Sequence, residues 1–382
     1  MRAQVIKKFM EVFQHEQKTV CFSPGRINLI GEHTDYNEGF VMPAAINLGI
    51  YMALAANDLS ICRVYSIDFE EEFTFHLEAL APKKGHWATY IMGIISQLQQ
   101  AGYPVKSFDM VFGGDLPIGA GLSSSAALEC AAGFGLSQLF KFDIPKHSLI
   151  HYAQKAENLF AGVQCGVMDQ FASVMGKKDH VIRLDCRDLS FDYFPLNLEH
   201  YQLLLVDTQV KHSLADSAYN SRRFDCAEVV LLAQQNQVGI TSLRDLKLKH
   251  LDEIVPFIEE EVLGRGIYVI EENERVMEAS EALKEGNLIK VGELMYASHL
   301  GLSDKYGVSC PELDFLVEFT KPLDAILGSR MMGGGFGGCT INIIRNDFQE
   351  EFQRIITSAY DHRFMKSPKF YQVRLEEGTR LI

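Results

Sequence analysis

The sequence predicts a mixed α and β protein of two domains, and three observations carry that expectation. At 382 residues, 47% of them hydrophobic, the chain is too long for one ordinary core and apolar enough to pack two. Short strand-like runs alternate with stretches whose apolar positions recur at spacings of three and four, the helical period. From about Lys177 the pattern changes, to strands over 181–184 and 201–206 and then one long helix over 213–236, so a first domain is expected over 1–178 and a second over 179–382.

Composition narrows the function classes. A net charge of −14 argues against nucleic acid or an anionic membrane as a partner, and a polyanionic ligand would need local positive potential. The eight cysteines are never closer than 21 positions apart, so no CxxC or zinc spacing exists, and they are expected as buried thiols in a reducing cytoplasm. Lys7, Lys8, Glu11, His15 and Glu16 interleave with apolar residues, the pattern of an amphipathic helix and not of a signal peptide. The longest apolar run, 17 residues over 40–56, contains Pro43, Asn47 and Gly49 and reads as buried strand, too broken to span a bilayer.

The first strand-like run, TVCFSPGRINLI at 19–30, is interrupted by Pro24 and Gly25 and delivers Arg26 into hydrophobic surroundings, where a charge needs a partner. Gly31, Glu32, His33, Thr34, Asp35, Tyr36 and Asn37 follow, closed by a turn at 37–39. That density of donors and acceptors suits a polyhydroxylated ligand; the alternative is an exposed polar turn, and Arg26 upstream favours the site. Residues 48–56 and 62–75 read as further strands, the second alternating through Val64, Ser66 and Asp68, and a helix is expected over 87–101.

The stretch 113–139, GGDLPIGAGLSSSAALECAAGFGLSQL, organises the rest. A short strand over 108–112 feeds a glycine-rich turn, which runs directly into a helix former from Ala126 onward. Gly119 and Gly121 allow positive φ and close approach to a ligand, while Ser123, Ser124 and Ser125 stand where a helix begins. A helix start presents unpaired N–H groups and the positive end of the macrodipole, so it holds a phosphate without a lysine. The pattern G-x-x-x-x-G-K-[ST] nearly fits from Gly114 to Gly119, but Ala120 stands where lysine belongs, which makes this a different kind of nucleotide loop. The alternative is a plain loop before a core helix.

Residues 148–161 are helical, with Leu149, Tyr152, Ala153, Ala156 and Phe160 on one face and Glu157 at its edge. Glu157 is either a solvated helix glutamate or an oxygen ligand for magnesium, a hard cation. Asp169, the one acid in CGVMDQFASVM, is either the N-cap of a short helix ending at Gly176 or a catalytic base tuned by burial and a nearby arginine. Strands over 181–184 and 201–206 lead to a long helix over 213–236 carrying Tyr219, and charged amphipathic helices are expected over 245–261 and 271–284. Ser309 and Pro311 signal a helix over 312–319. In MGGGFGGCTINII, at 332–344, Gly333, Gly335 and Gly338 formally satisfy G-x-G-x-x-G. The dinucleotide fingerprint needs a strand before it and a helix after it, whereas here 323–330 looks helical and 340–344 strand-like. Close backbone approach to a neighbouring element or ligand fits better.

Three segments, SPGRINLIGEHTDYNEG at 23–39, PIGAGLSSSAA at 117–127 and GGGFGG at 333–338, together closely resemble the motifs of the galactokinase family, in the GHMP small-molecule kinase superfamily. CGVMDQF, VDTQVKHSLADSAYNSRR and SHLGLSDKYGVSCPELD extend the resemblance over nearly the whole chain, and the first motif is the most specific. The resemblance implies an α+β fold of two-domain GHMP kinase architecture with the active site in the interdomain cleft. It implies in-line transfer of the γ-phosphoryl of ATP to the anomeric hydroxyl of α-D-galactose, giving α-D-galactose 1-phosphate and ADP.

By the same resemblance Gly119, Ala120, Gly121, Leu122, Ser123, Ser124 and Ser125 would hold the nucleotide phosphates, with Ser66 near the nucleotide, and Ser125 and Glu157 would bind Mg2+. Asp169 matches the acid that takes the proton from the sugar, and Arg26 the cation stabilising both that carboxylate and the transferring group. Glu32, His33, Thr34, Asp35 and Tyr219 match sugar contacts, and the third glycine motif would support the anion loop by packing. The chain is thus expected to act as a cytoplasmic monomer on galactose and MgATP. The alternatives are a related GHMP kinase acting on N-acetylgalactosamine, arabinose or galacturonate, and a galactose and ATP sensor without turnover. Such sensors carry a degraded second motif, whereas Ser125 and Ala126 are intact here.

Overall fold

The computed structural model describes residues 1–117, 119, 121–210, 215–236 and 239–382, with the backbone alone for 215–218, 252 and 253. Along the chain the strands are β1 (Thr19–Asn28), β2 (Phe40–Val41), β3 (Pro43–Ala56), β4 (Cys62–Ser66), β5 (Glu71–Phe75), β6 (Phe108–Gly114), β7 (His180–Asp185), β8 (Phe191–Pro195), β9 (Tyr201–Asp207), β10 (Ile326–Met331), β11 (Cys339–Arg345), β12 (Lys369–Val373) and β13 (Arg380–Leu381). The helices are α1 (Arg2–Phe13), α2 (Ala88–Gln100), α3 (Ser124–Phe140), α4 (Lys146–Lys155), α5 (Met168–Met175), α6 (Ala215–Gln235), α7 (Glu260–Lys284), α8 (Leu288–Gly301), α9 (Pro311–Thr320) and α10 (Gln349–Phe364). A π-helical turn extends α4 over Ala156–Ala161, and another extends α8 over Leu302–Tyr306.

The strands form a six-stranded sheet, β13–β1–β3–β6–β4–β5, a four-stranded sheet, β10–β11–β9–β12, and a three-stranded sheet, β2–β7–β8. Side chains alternate across a strand, so β3 sends Met52 and Leu54 into the main core with residues of α2 to α5. Its Ala53 and Ala55 point the other way, small enough for Val5, Phe9 and Phe13 of α1 to lie on that face. In the second sheet Leu203 and Leu205 of β9 join the main core with Val291, Leu294 and Met295 of α8. Leu204 and Val206 face Phe352, Ile356 and Tyr360 of α10. Pairing of β13 with β1 and of β2 with β7 crosses the expected division at 178/179 twice.

Two expected helices are corrected. Residues 323–330 mostly form strand β10, whose residues are buried on both faces beneath α8 and α9, so the period-two alternation that marks a strand is missing. The glycine motif therefore links two antiparallel strands, and no helix follows it directly, so it is not a dinucleotide fingerprint. Residues 245–261 are not an amphipathic helix but 3₁₀ turns, Leu243–Asp245, Leu248–Glu253 and Val255–Phe257, before α7 begins. Pro256 lacks the N–H that a continuous α-helix needs. The run over 62–75 is a hairpin of β4 and β5, and the first residues of the expected long helix, Ser213 and Leu214, lie outside the described residues.

Candidate active site

A cavity of about 430 Å³ opens where the loop after β1, α5, α6 and the β10–β11 glycine turn meet. Arg26 reaches it because β1 slips register against β3 between Pro24 and Arg26, a bulge of the kind that re-aims a side chain. Its side chain is 6% exposed against 23% for Asp169, so the carboxylate is the more open end of the pair. Arg26 Nε donates to Asp169 Oδ1 at 2.8 Å and Nη2 to Oδ2 at 3.1 Å, a bidentate clamp, while Nη1 donates to the Gly121 carbonyl. Ser123 Oγ donates to Asp169 Oδ2 at 2.5 Å. Burial alone would lower the Arg26 guanidinium, but Asp169, then Glu32 and Asp35, hold it above its ordinary value. Asp169 sits inside the first turn of α5, whose N-cap is Val167, so its carboxylate serves Arg26 and Ser123 and caps nothing.

The polar loop supplies the next wall. Glu32 is 1% exposed and accepts from the Gly333 amide and from Asn28 Nδ2, with Arg330 Nη2 at 3.6 Å. His33 adopts φ 63°, bonds Tyr36 Oη through Nδ1 at 2.6 Å and packs its ring 5.4 Å from Tyr219 and 4.9 Å from Tyr306. Burial pushes the His33 imidazole down to about 3, with Arg222 and Arg330 adding to the depression and the Gly334 backbone opposing it. Its Nε2 makes no hydrogen bond of ordinary geometry. Burial, then the Asp169 charge, raises Asp35 to about 7. A Cβ on Gly166 would meet Asp35 Oδ2 at 1.9 Å, so only glycine lets that wall approach. Arg26, Glu32, His33, Asp35, Asp169 and Tyr219 all line the cavity. Thr34 does not: its hydroxyl serves the carbonyls of Gly31 and Phe40, at 2.9 and 2.6 Å, within its own loop.

The glycine-serine loop lies directly behind. Gly119 and Gly121 both take positive φ, 80° and 76°, and Ser123 is left-handed at φ 57°, immediately before α3 begins at Ser124. Ser123 makes no side-chain cap bond, its hydroxyl being directed to Asp169 instead. Leu122 is buried and its carbonyl accepts from the Arg26 amide at 3.3 Å. Ala120 lies outside the described residues. Ser125 Oγ donates to Glu157 Oε1 at 2.7 Å, and Glu157 is 6% exposed, so it is not a solvated surface acid. Burial lifts Glu157 to about 7, against the lowering effect of the Ser125 bond. A hydroxyl and a carboxylate side by side are the oxygen donors a hard cation takes, with phosphate and water completing the shell. Among the described residues no group of three or more His, Cys, Asp or Glu forms a complete metal cage. Ser66 is not part of the cavity: its hydroxyl, fully buried at the end of β4, accepts from the Phe69 amide at 3.4 Å.

Several residues enter the site that sequence reasoning missed. Gly333, Gly334, Gly335 and Phe336 line the cavity themselves, beyond the packing role expected of them. Gly333 also lies against the glycine-serine loop, since a Cβ on it would stand 3.4 Å from the Gly121 carbonyl. Gln170, fully buried beside Asp169, donates to Glu157 Oε2 at 2.6 Å and reaches Glu129 Oε2 at 3.5 Å. Burial, reinforced by Glu157, pushes Glu129 well above the usual carboxylate range. A glutamate within the apolar run AALECAA was the available signal.

Three family models match the chain: the galactokinase galactose-binding signature over residues 7–56, the GHMP kinases N terminal domain over 89–177 and the GHMP kinases C terminal over 279–362. Galactokinase of Clostridium acetobutylicum is 40% identical over 381 residues, covering 98% of each chain. Galactokinase of Bacillus subtilis is 40% identical over 387 residues, covering 100% of this chain and 99% of the relative. The crystal structure of Lactococcus lactis galactokinase complexed with galactose superposes with a TM-score of 0.95 at 36% identity, covering 100% of this chain and 99% of that one. Methanococcus jannaschii mevalonate kinase, at a TM-score of 0.70 and 16% identity, shares the fold.

Proposed function

The chain belongs to the galactokinase family and is a kinase, and from that premise we propose that it transfers the γ-phosphoryl of ATP to the anomeric hydroxyl of α-D-galactose. The observation that carries the reading is the Asp169 carboxylate, clamped by Arg26 and Ser123 with its open edge toward a cavity walled by the 31–37 loop. Oδ2 already accepts from both Arg26 and Ser123, whereas Oδ1 accepts from Arg26 alone and has lone-pair capacity left for one more proton donor. A sugar hydroxyl placed there meets an acceptor whose plane is fixed on one side, so the reaction needs little reorganisation.

Arg26 has two tasks in this mechanism. It orients Asp169, and its guanidinium supplies positive charge where the phosphoryl group arrives, close to the carbonyl of Gly121 on the phosphate loop. The start of α3 offers amides and dipole to the phosphates, with Ser124 and Ser125 as its first residues. Mg2+ held between Ser125 and Glu157 would neutralise phosphate oxygens as charge moves toward ADP. Glu32, His33, Asp35 and Tyr219 select the sugar by hydrogen bonding and ring stacking. Eight free cysteines fit the reducing cytoplasm as its location.

A coupled assay of ADP release with galactose, glucose, N-acetylgalactosamine and arabinose tests this reading. Galactose is expected to give the highest kcat/KM, and a higher value for any other sugar overturns the substrate assignment. Binding of ATP and galactose with no ADP released would convert the protein into a sensor.

A further inference from the structure

Helix α7 carries no recognisable motif, and its residues before 279 fall outside the three matched family segments. Yet it reaches the loop between β1 and β2 at both ends. Glu272, fully buried, accepts from the Gly31 amide at 2.8 Å and from Ser298 Oγ at 2.7 Å through the same oxygen, Oε1. Its Oε2 accepts from Arg275 Nε at 2.6 Å, so the buried charge is paired. Tyr268, one helical turn earlier, donates to the Glu32 carbonyl at 2.9 Å. Asn273 Oδ1 accepts from the Phe40 amide at 2.8 Å, while its Nδ2 donates to the Val269 carbonyl and so fixes the acceptor's direction. A Cβ on Gly39 would meet that Oδ1 at 2.5 Å, so the loop is seated tightly against the helix.

None of Tyr268, Glu272 and Asn273 lines the cavity, whereas Glu32, His33 and Asp35, inside the loop they hold, all do. We propose that Glu272, seconded by Tyr268 and Asn273, is a positioning residue that sets the sugar loop from the far half of the chain and thereby sets the apparent affinity for the sugar. This rests on the reading of residues 31–37 as sugar-binding. The fixing is specific in kind: the amide of Gly31, where φ is 97°, donates to a buried carboxylate, a stronger acceptor than a neutral oxygen.

Glu272→Ala removes the acceptor, and Glu272→Gln keeps a carbonyl oxygen for Gly31 and Ser298. Initial rates with each substrate varied, together with thermal unfolding, form the test. Glu272→Ala is expected to raise KM for galactose roughly tenfold, the factor for one buried hydrogen bond, while KM for MgATP stays within about twofold. Glu272→Gln should restore most of the loss. A variant that melts earlier with both KM values unchanged overturns the proposal, because that is what a merely structural contact does, and so does an equal rise in both. Asn273→Ala repeats the test at Phe40 with a smaller perturbation, and decides it if Glu272→Ala does not fold. Asp35→Asn, measured alongside, separates the two failures. If Asp35→Asn impairs KM for galactose and the α7 variants do not, the positioning role alone falls; if Asp35→Asn is also normal, the sugar loop itself has been misassigned.

Discussion

Replacing Asp169 by asparagine changes one atom of the carboxylate and almost no volume. The carboxylate accepts from Arg26 Nε at 2.8 Å, from Arg26 Nη2 at 3.1 Å and from Ser123 at 2.5 Å. Asparagine offers one acceptor oxygen and a donor-only Nδ2, so whichever way the amide turns, one Arg26 bond is lost. The lost bond at a half-buried site costs about 1–3 kcal/mol of stability. Glu32 still faces Arg26 electrostatically, so its guanidinium is not left without a counter-charge. The chemistry suffers more: an amide cannot take the sugar proton, and a positioned base contributes about 10²–10⁴ in rate, roughly 3–5 kcal/mol of barrier. Steady-state ADP release at saturating substrates, calorimetric MgATP binding and thermal unfolding separate the two costs. The expected result is a kcat reduced by at least about a hundredfold with MgATP binding retained and unfolding still cooperative. A kcat within about tenfold of the parent would remove Asp169 as the base.

Three other perturbations follow from the same geometry. Ser125→Leu should raise KM for MgATP, and the free Mg2+ needed for half activity, by roughly tenfold or more, since it removes the hydroxyl beside Glu157; unchanged Mg2+ dependence refutes that placement. Burial, with help from Asp169, raises Asp35 from 3.8 to about 7, so between those values the folded chain holds a proton that the unfolded chain has released. Stability from neutral Asp35 is therefore lost as pH rises through that window, while His33, lowered to about 3, contributes stability that rises with pH up to its unfolded value. The Asp35 part is read by difference: the ligand-free melting temperature of the parent relative to Asp35→Asn should fall from about pH 4 to about pH 7, whereas parallel curves would contradict it. Gly292→Ala puts a Cβ 2.0 Å from the Leu327 carbonyl, where α8 lies on β10 and neither backbone can yield cheaply; urea unfolding should show a loss of about 1–3 kcal/mol or more, and a neutral effect would mean that the two elements can separate.

What could be read from the sequence was whatever announces itself locally. Arg26 was visible as a charge inside an apolar run and Asp169 as a lone acid in another, and the structure brings them within hydrogen-bond distance across 143 positions. The glycine and serine turn before α3 was visible because positive φ and helix starts are properties of a few consecutive residues. Direction was not visible. Thr34 and Ser66 have the hydroxyls that ligand binding wants, but turn them to their own loops. Strand β10 escaped because a strand buried on both faces has no alternation to detect, and with it went Arg330, the fully buried cation beside Glu32. Glu272 escaped for a different reason: its partner Gly31 is 241 positions away, and on the sequence alone it is one acid among many on a charged helix.

A chain of net charge −14 repels a triphosphate at long range, so the attraction has to come from groups close to it. Surface charges fade over a Debye length of about 8–10 Å, whereas a buried guanidinium and a helix start act at contact distance in a medium less polarisable than water. Arg26 would concentrate this effect under the proposed assignment, because it is tied to the loop before α3 twice, by its amide to the Leu122 carbonyl and by Nη1 to the Gly121 carbonyl. The same loop is touched from the far side by Gly333, whose amide is in turn bound by Glu32 of the sugar loop. The loop over 119–125, Asp169 and the loop over 31–37 are thus joined through Arg26 and the Gly333 amide. Under the proposed assignment these bonds tie the two substrate sites to the base, the arrangement that in-line transfer between two separately bound substrates asks for.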